Sequence, residues 1–272
     1  MTWRASGYLE RLDQAIVAPQ LRWCATIAVV SPKGGVGKTT VTALLGTLLA
    51  YLRSDRVVAV DTNPDYGSLG RVLAPDHTLF VDDLVRQVDD PSLTVTGLDG
   101  LLGRGPHGLR VAPAPTDPAR MWQLDEAAYT KVIERLQELV NVVLLDCGTG
   151  LQEPAAGAAI RAAQQLVLVA DAEPAGASLV AEAGQLLARA GRPLTVVVNK
   201  VPRRGGQLDL ERFAERLPQA GGMVVIPADV EAAGILSAGK YDWRDAPEPW
   251  RRSVRELAAV LLAEWPALGL SP

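Results

Sequence analysis

Residues 31–40 read SPKGGVGKTT, and this stretch decides the fold of the 272-residue chain. An apolar run, Ala25–Ser31, leads into it and predicts a strand that is buried on both faces. A helix is predicted directly after it, over Thr39–Tyr51. Glycines let the intervening backbone turn tightly and direct its N–H groups at phosphate oxygens, and the N-terminal end of the helix attracts the same negative charge. The stretch therefore predicts a phosphate-binding loop.

Two side chains of this loop add to what its backbone can do. Lys38 would place a positive charge on the β- and γ-phosphates of a nucleotide, and the hydroxyl of Thr39 would coordinate Mg²⁺. Pro32 stands where the general pattern has glycine, and every other required position fits. The residues predicted to bind the nucleotide here are Lys33, Gly34, Gly35, Val36, Gly37, Lys38, Thr39 and Thr40.

Strands and helices alternate along the rest of the chain. This alternation predicts an α/β protein with a mostly parallel, twisted sheet of about seven to eight strands and helices on both faces. Together with the phosphate-binding loop, it predicts the P-loop NTPase fold. The further predicted strands are Arg56–Asp61, Leu109–Ala112, Asn141–Asp146, Leu166–Asp171, Leu194–Asn199 and Gly222–Ile226. The further predicted helices are Val81–Val88, Glu126–Leu139, Ala175–Ala190, Leu208–Leu217 and Trp250–Trp265.

The chain is expected to contain one large domain and a short N-terminal segment. Residues 1–22 are interpreted as a helical arm or upstream linker, with an amphipathic helix over Tyr8–Val17. Residues 23–272 are predicted to form a single P-loop ATPase domain. Residues 74–118, which are rich in Asp, Gly and Pro, are interpreted as an irregular surface excursion from that domain.

Composition and charge exclude several classes of protein. The net charge of −4 provides no global positive field that would attract nucleic acid or an anionic membrane. Two cysteines, Cys24 and Cys147, are too few for a disulfide framework or a four-thiolate metal site, which favours a reducing compartment. No signal peptide is visible, and no apolar run reaches the roughly 18–20 residues of a spanning helix. We therefore expect a cytoplasmic protein.

Residues 33–40, KGGVGKTT, resemble the deviant Walker A motif of the MinD/ParA family of P-loop ATPases. In that family the first lysine of the motif, here Lys33, crosses a dimer interface and touches the nucleotide of the partner. Two ATP molecules are sandwiched face to face, and the lysine neutralises negative charge that they add to the interface. The resemblance implies that the chain binds ATP and Mg²⁺ and forms a homodimer when ATP is bound. It also implies catalytic roles for Lys33 and Lys38.

Residues 61–69, DTNPDYGSL, resemble the first switch segment of the family, which usually carries two aspartates. Asp61 matches the first, which supports Mg²⁺ through water. Asn63 occupies the place of the second, which positions the attacking water. An amide can orient water but is a far poorer proton acceptor than a carboxylate. Hydrolysis is therefore expected to be slow, to depend on a partner, or to use Asp65 instead.

Residues 141–151, NVVLLDCGTGL, resemble the Walker B strand and second switch of the family. The resemblance implies that Asp146 holds a Mg²⁺-bound water, so the metal-site residues would be Thr39, Asp61 and Asp146. It also implies that Gly150 offers its N–H group to the γ-phosphate. Gly148 departs from the family, which often has proline there.

Two later segments resemble the family's adenine-binding residues. Asn199 ends a predicted strand and looks like the asparagine that reads the base. Residues 226–229, IPAD, resemble the segment whose backbone lies along the base, which implicates Pro227 and Asp229.

Three segments, residues 61–69, 146–150 and 226–240, most resemble a branch of the family found beside type VII secretion systems, the EspI-like proteins. We interpret it as an ATPase switch that positions or regulates a macromolecular system, in type VII secretion, chromosome or plasmid partitioning or cell-pole organisation. The alternatives are a nucleotide-binding scaffold with little or no hydrolysis and a P-loop metabolic enzyme. An iron–sulfur reductase would need paired thiolates, which two cysteines do not provide.

Family members differ in what they bind besides nucleotide. An unidentified protein that stimulates or reads the switch is expected. Non-specific DNA binding is a possible role for exposed basic residues, whereas the last helix has the spacing of a core-packing helix and does not predict membrane binding. The basic candidates are Arg203, Arg204, Lys240, Arg244, Arg251, Arg252 and Arg255.

Overall fold

The computed structural model describes residues 3–63, 67–121 and 124–272, with side chains described from Gly7 onward. Within these ranges the strands are β1 (Ala25–Val30), β2 (Val57–Thr62), β3 (Gly103–Arg104), β4 (Arg110–Ala112), β5 (Val142–Cys147), β6 (Gln165–Asp171), β7 (Leu194–Val201) and β8 (Gly222–Pro227). The helices are α1 (Trp3–Val17), α2 (Lys38–Leu52), α3 (Leu69–Leu73), α4 (Val81–Val85), α5 (Val95–Leu101), α6 (Pro118–Met121), α7 (Glu126–Leu139), α8 (Pro154–Ala162), α9 (Pro174–Ala188), α10 (Leu210–Glu215), α11 (Val230–Ser237) and α12 (Glu248–Ala263).

The eight strands form one sheet in the order β3-β4-β2-β5-β1-β6-β7-β8. Neighbouring strands are parallel except for the short edge strand β3, which runs antiparallel to β4. The predicted α/β fold with a mostly parallel sheet is confirmed. Because β1, β2 and β5 are adjacent and parallel, their carboxyl ends meet at one edge of the sheet, which is where ligands bind in open α/β sheets.

Helices cover both faces of the sheet and produce two hydrophobic cores. Successive residues of β1 alternate between them, since Ile27 and Val29 belong to one core and Ala28 and Val30 to the other. Every residue of β1 is buried, which explains the continuous apolar run in the sequence. The first core is covered by α1, α2, α3, α11 and α12, and the second by α4, α5, α7, α8, α9 and α10.

The N-terminal helix α1 packs against the last helix, α12. Ile16 is fully buried in the first core, and Asp13 pairs with Arg255 of α12 at 2.6 Å. The hydroxyl of Tyr8 donates a hydrogen bond to Glu256 at 2.9 Å. Helix α12 packs its apolar face against the sheet, as its residue spacing predicted. No described helix is long and apolar enough to cross a membrane. The division of the chain at residue 22 stays a prediction.

The structure differs from the predicted elements chiefly in the short helices. The predicted helix Val81–Val88 ends at Val85 and continues as a turn, and the helix predicted over Leu208–Leu217 begins only at Leu210, because Asp209 caps it by accepting from the N–H of Arg212 at 3.1 Å. Several helices were not predicted, since they are too short or too rich in alanine and glycine for a clear apolar period. They are α3, α5, α6, α8 and α11.

Candidate functional site

The glycine-rich loop lies between β1 and α2 at the carboxyl edge of the sheet. Gly35 and Gly37 adopt φ values of 76° and 96°, the left-handed region that favours glycine. Val36 between them is fully buried in the first core and anchors the loop. Thr40 lies half-buried in the first turn of α2. The sequence therefore folds here into the tight, glycine-dependent turn that a phosphate-binding loop requires.

Asn199 at the end of β7 is packed directly behind this loop. The residue is 3% exposed, and its side-chain amide donates to the carbonyl of Val36 at 3.0 Å. A Cβ atom on Gly37 would lie 2.2 Å from the amide nitrogen of Asn199. Asn199, which is predicted to bind the adenine base, thus also holds the phosphate loop in place.

Asp146 at the end of β5 organises the start of α2. Its carboxylate accepts from the hydroxyl of Thr39 at 2.6 Å and from that of Thr42 at 3.3 Å. Lys38 is 9% exposed, and burial lowers the pKa of its ammonium group while the charge of Asp146 opposes that shift. Sequence reasoning missed Thr42, which carries only the weak signal of a hydroxyl one helical turn after Lys38.

Asp61 at the end of β2 is fully buried beside Asp146. Its carboxylate accepts from the backbone N–H groups of Asn63 at 3.1 Å and of Leu69 at 3.0 Å. Burial is the main cause that raises the pKa of Asp61, and the neighbouring charge of Asp146 raises it further. Burial likewise raises the pKa of Asp146, whereas the hydroxyl of Thr39 opposes the shift.

These carboxylates fit a divalent cation. Two buried carboxylates with raised pKa values stand next to the hydroxyl of Thr39, and this all-oxygen donor set is what Mg²⁺ prefers. A bound cation would remove the repulsion that now disfavours their charged forms. Thr39, Asp61 and Asp146, the three residues predicted for the metal site, are therefore brought together by the fold.

The two segments predicted to be switches touch each other through Asn63. A Cβ atom on Gly148 would lie 2.7 Å from the side-chain oxygen of Asn63, so the missing side chain at Gly148 makes room for this amide. A Cβ atom on Gly67 would lie 2.2–2.4 Å from three atoms of the Asp61 carboxylate. Asp65 lies outside the described residues.

Lys33 extends from the loop to β6 and α9 of the same chain. Its ammonium group lies 2.6 Å from Glu173 and 2.9 Å from Asp171. The hydrogen bonds to Glu173 and then Asp171 raise the pKa of Lys33. Together with Gly34, Gly35 and Lys200, these three residues line a cleft of about 570 Å³ beside the loop.

The remaining predicted residues, Gly150, Pro227 and Asp229, each make a hydrogen bond of their own. The N–H of Gly150, which has a φ of 95°, donates to the carbonyl of Ser31 at 3.3 Å. The carbonyl of Pro227 accepts from the indole N–H of Trp250 at 2.8 Å, a contact that no local pattern in the sequence could indicate. Asp229 caps α11 by accepting from the N–H of Ala232 at 3.0 Å.

Most of the basic residues considered for DNA binding have acidic neighbours. Arg255 is only 8% exposed, and four of the seven form ion pairs. The pairs are Arg203–Asp229 at 3.7 Å, Arg244–Asp242 at 2.8 Å, Arg252–Glu256 at 2.8 Å and Arg255–Asp13 at 2.6 Å.

The fold and the site define a nucleotide-binding protein of the P-loop class. Residues 27–240 match the family described as the CobQ/CobB/MinD/ParA nucleotide binding domain. The match covers most of the chain, which therefore belongs to this family. The predicted relationship to MinD and ParA is confirmed.

Proteins with similar sequences agree with this family assignment. The chain is 30% identical over 256 residues to the ESX-1 secretion-associated protein EspI of Mycobacterium tuberculosis, in an alignment that covers 89% of this chain and 37% of EspI. It is 25% identical over 255 residues to the septum site-determining protein MinD of Bacillus subtilis, covering 88% of this chain and 89% of that protein. The chain thus spans little more than a third of EspI, and the predicted likeness to the EspI branch is supported over that part.

Solved structures show the same fold. The septum site-determining protein MinD of Pyrococcus horikoshii, complexed with Mg-ADP, superposes with a TM-score of 0.72 at 23% identity and covers 86% of this chain and 94% of that one. A ParA family ATPase from Chlorobium tepidum superposes with a TM-score of 0.74 at 18% identity and covers 87% and 98%. The predicted P-loop NTPase fold is confirmed.

Proposed function

We propose that the chain is an ATPase switch that dimerises when it binds MgATP. The observation that carries the proposal is the position of Lys33, whose ammonium group is held at the rim of the phosphate loop by Asp171 and Glu173. A lysine at the rim can exchange these partners for the phosphates of a nucleotide bound to a second copy. The pair with Glu173, whose side chain is 69% exposed, is of the weak surface kind. The pair with Asp171 is partly buried, so the phosphate would have to replace that contact with one of comparable strength.

Different residues of the chain would bind the phosphates and the Mg²⁺ ion. The backbone of the loop and the ammonium group of Lys38 would hold the phosphates, and Thr39, Asp61 and Asp146 would hold Mg²⁺ directly or through water. Bound Mg²⁺ would neutralise phosphate charge. The γ-phosphate distinguishes ATP from ADP, and it would draw Lys33 of the facing copy across the interface.

Asn63 is proposed to position the attacking water. Its amide oxygen lies at the contact between the two switch segments, but an amide accepts a proton poorly. Hydrolysis is therefore proposed to be slow unless a partner protein or Asp65 supplies the base. The similarity to EspI supports a role beside a type VII secretion system, and the acidic pairing of most of the candidate arginines gives no support to a DNA-binding surface.

Sizing with light scattering tests the proposal directly. Addition of MgATP should shift the protein from monomer to dimer, whereas MgADP should not. Lys33→Ala should abolish this shift while calorimetry still detects ATP binding. Lys131→Ala is the matched control, because Lys131 also pairs with a carboxylate, Asp89 at 2.8 Å, but on the exposed face of α7. Dimerisation of Lys33→Ala with MgATP would contradict the assignment of this lysine.

A further inference from the structure

Strand β7 is distorted where it passes the phosphate loop. Its pairing with β8 shifts register between Val198 and Val201. Within that interval Lys200 has a φ of 58°, one of two non-glycine residues with a positive φ among the described residues. Such a conformation is strained for a lysine, and bulges near functional sites commonly redirect a side chain.

The distortion directs the Lys200 side chain at the loop. Its ammonium group donates to the carbonyl of Gly35 at 2.6 Å. The preceding residue, Asn199, donates to the next carbonyl of the loop, that of Val36, at 3.0 Å. Two consecutive residues of β7 thus bind two consecutive carbonyls of the loop.

These two contacts fix the direction of the loop's N–H groups. In a trans peptide the C=O and the following N–H point to opposite sides. A Gly35 carbonyl held by Lys200 therefore turns the N–H of Val36 away from Lys200, and a Val36 carbonyl held by Asn199 turns the N–H of Gly37 away from Asn199. Both N–H groups are then directed away from β7, which leaves them available to a phosphate bound in the turn of the loop.

We propose that Lys200 is a positioning residue of the phosphate site, which holds the Gly35–Val36 peptide in the orientation that binds phosphate. The inference rests on the proposed nucleotide binding, and it adds a residue to which the sequence motifs assign no role. Without the ammonium group the peptide is free to rotate, because the φ of 76° at Gly35 is accessible to glycine together with many other values. Part of the binding free energy is then spent on ordering the loop.

If Lys200 had only a structural role, the expected result would be different. If the residue only completes the turn after β7, glycine should serve better, since it removes the strain of the left-handed conformation. Lys200→Gly would then fold at least as stably as the wild type and bind nucleotide equally well. If Lys200 positions the loop, the same variant should gain or retain stability and lose affinity.

Calorimetry with MgADP and MgATP, paired with urea unfolding of the nucleotide-free protein, separates these outcomes. Lys200→Met, which keeps the aliphatic length without a donor, and Lys200→Gly should each weaken binding of both nucleotides about tenfold, the lower end of what a hydrogen bond to a charged group contributes, because this contact is exposed. Lys131→Met should bind as the wild type does. Wild-type affinity in the two Lys200 variants would overturn the inference, and no binding by the wild type would instead overturn the proposed function.

Discussion

Gly37 offers the most quantitative test of the site, because alanine there meets two separate obstacles. The residue has a φ of 96°, and a left-handed conformation costs an alanine about 1–2 kcal/mol. The new Cβ would also lie 2.2 Å from the amide nitrogen of Asn199, which must move and give up its buried bond to Val36. An unsatisfied buried group costs roughly 1–3 kcal/mol. Gly37→Ala should therefore lower the free energy of unfolding by about 2–5 kcal/mol.

Gly35→Ala is the matched control in the same loop. Gly35 has a φ of 76°, but among the described residues no atom beyond its two chain neighbours lies within 4 Å of a Cβ placed on it. This variant should lose only the conformational component of about 1–2 kcal/mol. Urea unfolding without nucleotide measures both variants, so the comparison does not depend on any ligand.

A double-mutant cycle isolates the contact itself. In an Asn199→Ala background the clash is absent, so Gly37→Ala should cost no more than Gly35→Ala does in the wild type. The combined variant should then be about 1–3 kcal/mol more stable than the sum of the single changes predicts. Strictly additive effects, or equal costs for Gly35→Ala and Gly37→Ala, would refute the packing of Asn199 against the loop.

Three further changes test neighbouring parts of the molecule. Gly67→Ala should displace the Asp61 carboxylate, because the new Cβ would lie within 2.4 Å of three carboxylate atoms. Calorimetry should then show a weaker Mg²⁺-dependent affinity for nucleotide. An unchanged Mg²⁺ dependence would contradict this expectation. Asn63→Asp should raise the rate of phosphate release by about 10²-fold or more if water activation limits turnover; an unchanged rate would assign the water to another group. Arg244 lowers the pKa of Asp242, so ionised Asp242 stabilises the fold above the ordinary aspartate range and this contribution is lost as the pH falls. Asp242→Asn should therefore lower the Tm at pH 7, by an amount that shrinks towards pH 2; a constant difference would exclude the linkage.

Much of this architecture could be predicted because its signals are local. The apolar run before the loop predicted β1, and helix α7 occupies Glu126–Leu139 as predicted, since Asp125 caps it and its apolar residues recur at helical spacing. The residues predicted for the metal site were found through their resemblance to family motifs, and the fold brings them together because parallel strands end at one edge. Their spacing of up to 107 residues in sequence does not matter once the strand order is fixed.

Other parts of the site depend on contacts that no local pattern encodes. Lys33 pairs with Asp171 and Glu173, which lie 138 and 140 residues further along the chain. Trp250 reaches the carbonyl of Pro227 from the last helix. Such contacts follow from the way helices close over the sheet, and only the folded chain reveals them. Residue roles in nucleotide binding stay predictions.

The contact between Asn63 and Gly148 has an evolutionary consequence. Because a Cβ at position 148 would meet the side-chain oxygen of residue 63, the two positions cannot vary independently. A homologue that gains a bulkier residue at 148 must reorient or replace the side chain at 63 before it can tolerate the change. Among descendants of a common ancestor, the pair should be inherited as a unit, so an alignment of close homologues would display correlated substitutions at these two sites.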